Sequence, residues 1–226
     1  MPSCTRKLIL FDIDGTLLKS HGGALKAMSA AARDVFGPDF DLTRVDRNGR
    51  LDQDIISEAV VVNGASATAG DFERFRGLYL DYLREEAGAV RALPGVGERL
   101  DELGRHPGVM LGLATGNYTQ AAWIKLAAAG IAADPFVANG FAEDATTRSG
   151  LIRHAAAAAR GANLSLGDVL VVGDTPRDVE AARDAGCRCL AVATGNYSRE
   201  ILQAAGAHTV LHDLTDPQPF RDFLKR

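Results

Sequence analysis

The apolar positions of this chain fall in short unbroken runs, each ending in small or acidic residues and each followed by a stretch of helical character. Residues 8–11 (LILF) stop at Asp12, 109–114 (VMLGLA) at Thr115-Gly116, 169–172 (VLVV) at Gly173-Asp174, and 189–193 (CLAVA) at Thr194-Gly195. A strand that is apolar throughout is buried on both faces, and its alternation with helices predicts a parallel sheet covered on each side. In such sheets ligands bind in the crevice beyond the carboxyl ends of the strands. The polar residues just named fall at that edge.

Helix punctuation agrees. Thr175-Pro176 supplies an N-cap and a proline at the first helical position, with Gly186 closing the stretch. Residues 151–160 are alanine-rich and end at Gly161, and 118–129 close at Gly130. One segment breaks the alternation. Residues 18–89 contain no convincing strand, and helical patterns run through 24–36, 52–62 and 72–86. This is too long for a loop between two sheet strands, so it reads as an inserted helical subdomain. The expected architecture is α/β: a Rossmann-like parallel-sheet core from residues 1–17 and 90–226, with an α-helical cap at 18–89.

Composition narrows the function. The chain has 226 residues, 46% apolar and 24% charged, with 25 basic against 29 acidic side chains. A formal charge of −4 without a basic tract argues against an extended nucleic-acid footprint. Small anionic substrates remain open, because a local site can be cationic on an acidic protein. Three cysteines (Cys4, Cys187, Cys189) are too few and too poorly spaced for a disulfide framework or zinc site. The first apolar run is cut at once by Asp12, so neither a secretory h-region nor a membrane span is expected. A cytoplasmic, reduced protein is the expectation.

The chemistry concentrates in two segments. In Phe11-Asp12-Ile13-Asp14-Gly15-Thr16, two carboxylates leave the end of a buried strand two residues apart. One is suited to attack an electrophile, the other to shuttle a proton. Both repel an anionic substrate unless a hard cation such as Mg²⁺ lies between them. Gly15 permits the sharp exit from the strand. In Gly173-Asp174-Thr175-Pro176-Arg177-Asp178, Thr175 and Asp178 fit a capping box, which accounts for Asp178 but not for Asp174. Taken alone, Asp12 and Asp14 could also be loop caps. The pentamer Ala-Thr-Gly-Asn-Tyr occurs at 114–118 and again at 193–197, each time at a strand end.

Together these motifs resemble the haloacid-dehalogenase superfamily of aspartate-nucleophile hydrolases, and the resemblance spans nearly the whole chain. It implies that Asp12 is the nucleophile and Asp14 the general acid/base. Thr115, with Gly116 and Asn117 beside it, would bind the transferring phosphoryl group. Asp174 would bind the metal, with Asp178 supporting. Mg²⁺ would be held by the Asp12 carboxylate, the Asp14 main-chain oxygen and Asp174. The third-motif cation is assigned to Arg148, which opens a helix in Asp144-Ala145-Thr146-Thr147-Arg148. Arg153 is its competitor, and Lys125 is expected to be a solvated surface charge. Thr194 follows the fourth motif and is expected to be structural.

The acid at Asp14 implies an alkoxide leaving group, hence phosphomonoester chemistry, since members that act as dehalogenases lack it. The segment Asn48-Gly49-Arg50-Leu51-Asp52 is similar to a Gly-Arg-Thr-Asp stretch in the cap of phosphoglycolate phosphatases, with Leu51 in place of threonine. Arg50 stands either as a contact to a substrate anion or as a surface ion pair, and Asp52 as the N-cap of the following helix. The expected partner is a small phosphorylated metabolite. A phosphoglycolate-phosphatase-like hydrolase leads; a β-phosphoglucomutase-like mutase or a non-catalytic relative are the alternatives.

Overall fold

The computed structural model describes residues 6–159 and 164–225; Cys4 and the predicted helix end at 160–161 lie outside the described residues. Strand β1 (Lys7–Phe11) is buried along its whole length. Its Ile9 and Phe11 enter one apolar cluster with Leu113 and Val172, and Leu8 and Leu10 enter another with Val171 and Cys189. Successive side chains point to opposite faces and both faces are covered, which is why the run carries no polar alternation.

After β1 come β2 (Leu18–Lys19), α1 (Gly23–Phe36), α2 (Asp52–Val62), α3 (Ala69–Glu85) and β3 (Arg91–Ala92). The alternation resumes with α4 (Val96–Gly104), β4 (Val109–Ala114), α5 (Thr119–Ala128), β5 (Phe136–Gly140) and α6 (Arg148–Ala158). It closes with β6 (Val169–Gly173), α7 (Pro176–Ala185), β7 (Arg188–Val192), α8 (Arg199–Ala204), β8 (Thr209–Leu211) and α9 (Gln218–Leu224). Six strands form a parallel sheet in the order β5–β4–β1–β6–β7–β8. The chain winds outward from β1 to one edge through β4 and β5, then returns to its other side at β6. The carboxyl ends of β1, β4 and β6 therefore meet at the crossing point where α/β sheets form their ligand crevice.

Strands β5 and β8 are absent from the apolar runs read in the sequence. Both are edge strands with partly exposed residues, Val137 on β5 being 64% exposed. An edge does not demand a continuous apolar run. The expectation that 18–89 holds no strand also needs correction. Leu18–Lys19 pairs antiparallel with Arg91–Ala92, forming a two-residue ribbon where the chain leaves and re-enters the sheet region. Two residues are too few to carry a period.

Helices α1, α2 and α3 pack around Met28, Ala31, Ile55, Ile56, Phe75 and Tyr79, and this cluster continues onto Tyr118 and Ala121 at the start of α5. Phe36 meets Phe72 and Phe75 in tilted pairs and Phe75 stacks on Tyr79, with centroid separations of 6.2–6.3 Å. Thr68 and Asp71 close a reciprocal capping box that starts α3. Among the described residues no helix is long and apolar enough to cross a membrane.

Candidate active site

Asp12 and Asp14 follow β1, Thr115 follows β4, Asp174 follows β6, and all four line one cavity of about 320 Å³. The loop after β1 turns at Gly15 (φ 82°), and a Cβ there would lie 2.3 Å from Asp174 Oδ2. Glycine is required twice over, for the left-handed backbone and for the approach of the carboxylate. Thr194 Oγ1 donates to Gly15 O at 2.5 Å, so the threonine of the second pentamer braces this loop from behind.

Arg148, the first residue of α6, places Nη2 3.0 Å from Asp12 Oδ1. Its Nε donates to Asp178 Oδ1 at 2.7 Å and its Nη1 to Gly49 O at 3.3 Å. Asp178 Oδ2 accepts from Thr175 N at 3.0 Å and from its hydroxyl at 2.7 Å, completing the capping box of α7. Both oxygens of Asp178 are thus committed, one to the helix start and one to Arg148. Arg153, one turn along α6, is exposed and donates to Ser149 Oγ at 3.4 Å and to Asp184 O, away from the cavity.

Lys125 is not a surface charge. It is 3% exposed, and its Nζ lies 2.7 Å from Asp14 Oδ2 and 2.5 Å from Asn117 Oδ1. A signal existed in the sequence: Lys125 stands four residues after Ala121, three after Ala122 and beside Leu126, on the apolar stripe of α5. Asp52 also departs from expectation. The N-cap of α2 is Leu51, whose side chain makes no cap bond. Asp52 Oδ2 instead accepts from Tyr118 N at 3.0 Å, while Asp52 N donates to Gly116 O at 2.7 Å.

The stretch 46–52 lies across the crevice. Arg177 pairs with Asp46 at 2.8 Å, Asn196 Nδ2 donates to Asn48 Oδ1 at 2.8 Å, and Gly116 admits the chain. A Cβ on Gly116 would sit 2.1 Å from Arg50 O. Arg50 lines the cavity wall while its guanidinium pairs with Glu58 at 2.5 Å. Asn117 turns its amide inward: Nδ2 donates to Asp14 Oδ2 at 2.9 Å and to Thr115 Oγ1 at 2.8 Å.

The electrostatics follow from burial. Burial pushes the Asp12 carboxyl up to about 6, with Arg148 opposing and Asp178 and Asp14 reinforcing. Asp174 is driven well above the carboxylate range by burial and by its acidic neighbours Asp178 and Asp12. Burial opposes the charge on Arg148, but Asp12 and Asp178 outweigh it and hold the guanidinium protonated. Asp12, Asp174 and Asp178 bring carboxylate oxygens within 4.8 Å of one another, a group that could hold a metal ion. Asp174 is the least engaged, with Thr16 Oγ1 donating to its Oδ1 at 3.4 Å. Buried carboxylates short of positive charge are hard oxygen donors of the kind a divalent cation neutralises.

The curated relatives are phosphoglycolate phosphatases. That of Mesorhizobium japonicum is 26% identical over 213 residues, covering 92% of each chain. That of Caulobacter vibrioides is 29% identical over 217 residues, covering 92% of this chain and 87% of its own. Among solved structures, CbbY from Rhodobacter sphaeroides in complex with phosphate superposes with a TM-score of 0.76 at 18% identity, over 94% of this chain and 96% of that one. This last likeness is one of fold. A sequence model described as haloacid dehalogenase-like hydrolase matches residues 6–186. Sheet order, strand-end acids and the family match agree: the chain belongs to the haloacid dehalogenase-like hydrolases.

Proposed function

We propose that this chain is a Mg²⁺-dependent phosphatase that hydrolyses a small phosphomonoester through an aspartyl phosphate on Asp12, with phosphoglycolate the leading substrate. The observation that carries this reading is the separate cationic support of two carboxylates at one strand end. Arg148 lies 3.0 Å from Asp12, and Lys125 lies 2.7 Å from Asp14. An Asp12 carboxylate steadied by a guanidinium is placed to attack, and Asp14, 39% exposed at its side chain, faces the same cavity, where it can exchange a proton with the leaving group and with water.

Asp12 attacks phosphorus, forming an O–P bond as the bond to the leaving oxygen breaks. Asp14 gives its proton to that oxygen, so it departs as a hydroxyl group and not as an alkoxide. Asp14 then takes a proton from the water that attacks the aspartyl phosphate, restoring both carboxyl groups and releasing inorganic phosphate. Thr115 and Arg148 donate to the equatorial oxygens as charge develops there. Asp12, the Asp14 main-chain oxygen and Asp174 would hold Mg²⁺, which when bound supplies the positive charge that lets a carboxylate approach a phosphate dianion. Asp178, fully engaged by Arg148 and Thr175, supports the shell from outside.

Residues 18–89 act as a cap in this reading. The segment 46–52 roofs the crevice and excludes water, with Arg50 on the cavity wall and its guanidinium held by Glu58. The small cavity and the phosphoglycolate phosphatase relatives favour a compact metabolite. The test is phosphate release from phosphoglycolate, sugar phosphates and nucleotides, with Mg²⁺ and with chelator, in wild type and Asp12→Asn. Metal-dependent release lost in the variant supports the reading. Wild-type rates in Asp12→Asn would remove the nucleophile, and sugar-phosphate isomerisation without net release would identify a mutase.

A further inference from the structure

Lys125 is a buried ammonium for which the mechanism above needs no reacting role. Burying such a group is unfavourable by several kcal/mol unless it is paired and hydrogen-bonded. Here Asp14 and Asn117 do both. A lysine ammonium only donates, so the Asn117 atom facing it is the carbonyl oxygen, and the NH₂ end must point the other way. That NH₂ reaches Asp14 Oδ2 at 2.9 Å and Thr115 Oγ1 at 2.8 Å.

Two consequences follow. Asp14 Oδ2 is filled by two donors, Lys125 Nζ and Asn117 Nδ2, so Oδ1 is the oxygen left to carry the transferred proton. Thr115 Oγ1 accepts from Asn117 Nδ2 and, at 3.4 Å, from Asn117 N. With its lone pairs engaged, the hydroxyl keeps its hydrogen for an acceptor in the cavity.

We propose that Lys125 is the positioning residue of the leaving-group step: it pins one oxygen of Asp14 and, by setting the orientation of the Asn117 amide, aims the Thr115 hydroxyl at the phosphoryl group. This rests on reading Asp14 as the general acid. Arg148, shared between Asp12 and Asp178, then serves the nucleophile, and Lys125 serves the acid. Acid catalysis by a positioned side chain is worth about 10²–10⁴ in rate, and displacement by about 1 Å forfeits roughly 10² of it.

The test compares kcat/KM, which reports the steps through loss of the leaving group, on two compact substrates. One is the alkyl phosphomonoester turned over fastest in the panel above. The other is acetyl phosphate, whose acetate departs without a proton. Lys125→Met should lower kcat/KM by about 10²-fold on the alkyl ester and by less than about tenfold on acetyl phosphate. Lys125→Arg, which keeps a cation, should recover part of the difference. Equal losses on both substrates, or no loss, in a folded variant would overturn the proposal. Lys125→Gln, judged by the same criterion, decides the matter should the methionine variant not fold. Asp14→Asn on the same pair separates the two readings. If it alone shows the leaving-group dependence, the acid assignment stands and only the role of Lys125 is rejected. If it harms both substrates equally, the acid assignment fails and the proposal with it.

Discussion

Replacing Asp12 with Asn should abolish turnover and at the same time make the metal-free protein more stable at neutral pH. Asp12 is 5% exposed, and burial outweighs Arg148 so that its carboxyl is pushed from 3.8 to about 6. A raised carboxyl binds its proton more tightly in the folded state than in the unfolded one, so the ionised form opposes folding. Above about pH 6 that opposition is present in full. It fades as pH falls toward 3.8, and below 3.8 both states are protonated and it is gone. A change of this size corresponds to about 3 kcal/mol between the two protonation states. At roughly 2–4 °C per kcal/mol for a chain of this length, the upper bound on the rise in Tm is about 12 °C. The asparagine keeps the volume, and Arg148 keeps Asp178 as its partner. Thermal unfolding in chelator at pH 7.5 should therefore show the variant above wild type, with the gap narrowing at pH 4.5. Added Mg²⁺ should raise wild type more than the variant, because binding to the folded state alone stabilises it. A variant less stable than wild type at pH 7.5, or a gap that does not narrow with acid, would refute the reasoning.

Arg148→Met should lower kcat by about 10²–10³ and destabilise the fold by about 3–5 kcal/mol, since it leaves Asp12 and Asp178 buried without their cation. Arg153→Ala, at an exposed site, should stay within about 0.5 kcal/mol of wild type and leave kcat unchanged, as denaturant midpoints and steady-state rates would report. Gly116→Ala drives a methyl into Arg50 O and should unseat the 50–52 segment, read as a raised KM and faster proteolysis within residues 46–52. Gly15→Ala should reduce Mg²⁺ affinity measured by calorimetry, because the added carbon would lie 2.3 Å from Asp174 Oδ2 and displace it.

The central strands were legible in the sequence because they are buried on both faces: β1, β4, β6 and β7 each leave a run that polar substitution would break. The acids that end them were legible for the same reason, since Asp12, Asp14 and Asp174 interrupt apolar runs where a parallel sheet places its crevice. Edge strands β5 and β8 were not, because one open side relaxes the demand for apolar residues. The inserted helices announced themselves by amphipathic period, but their docking did not. Asp52 reads as a helix cap from its neighbours alone, and only the folded chain brings Tyr118 N to it across 66 positions. Lys125 makes the point most clearly. Its place on the apolar stripe of α5 points inward, but local sequence does not say which acid a buried lysine meets. The choice was made by Asp14, 111 residues away, and by the amide of Asn117. Local pattern determines which faces are covered and where the strands end. Which charges meet depends on contacts between distant segments, because the energy of a buried ion is set by the groups around it in space and not by its neighbours along the chain.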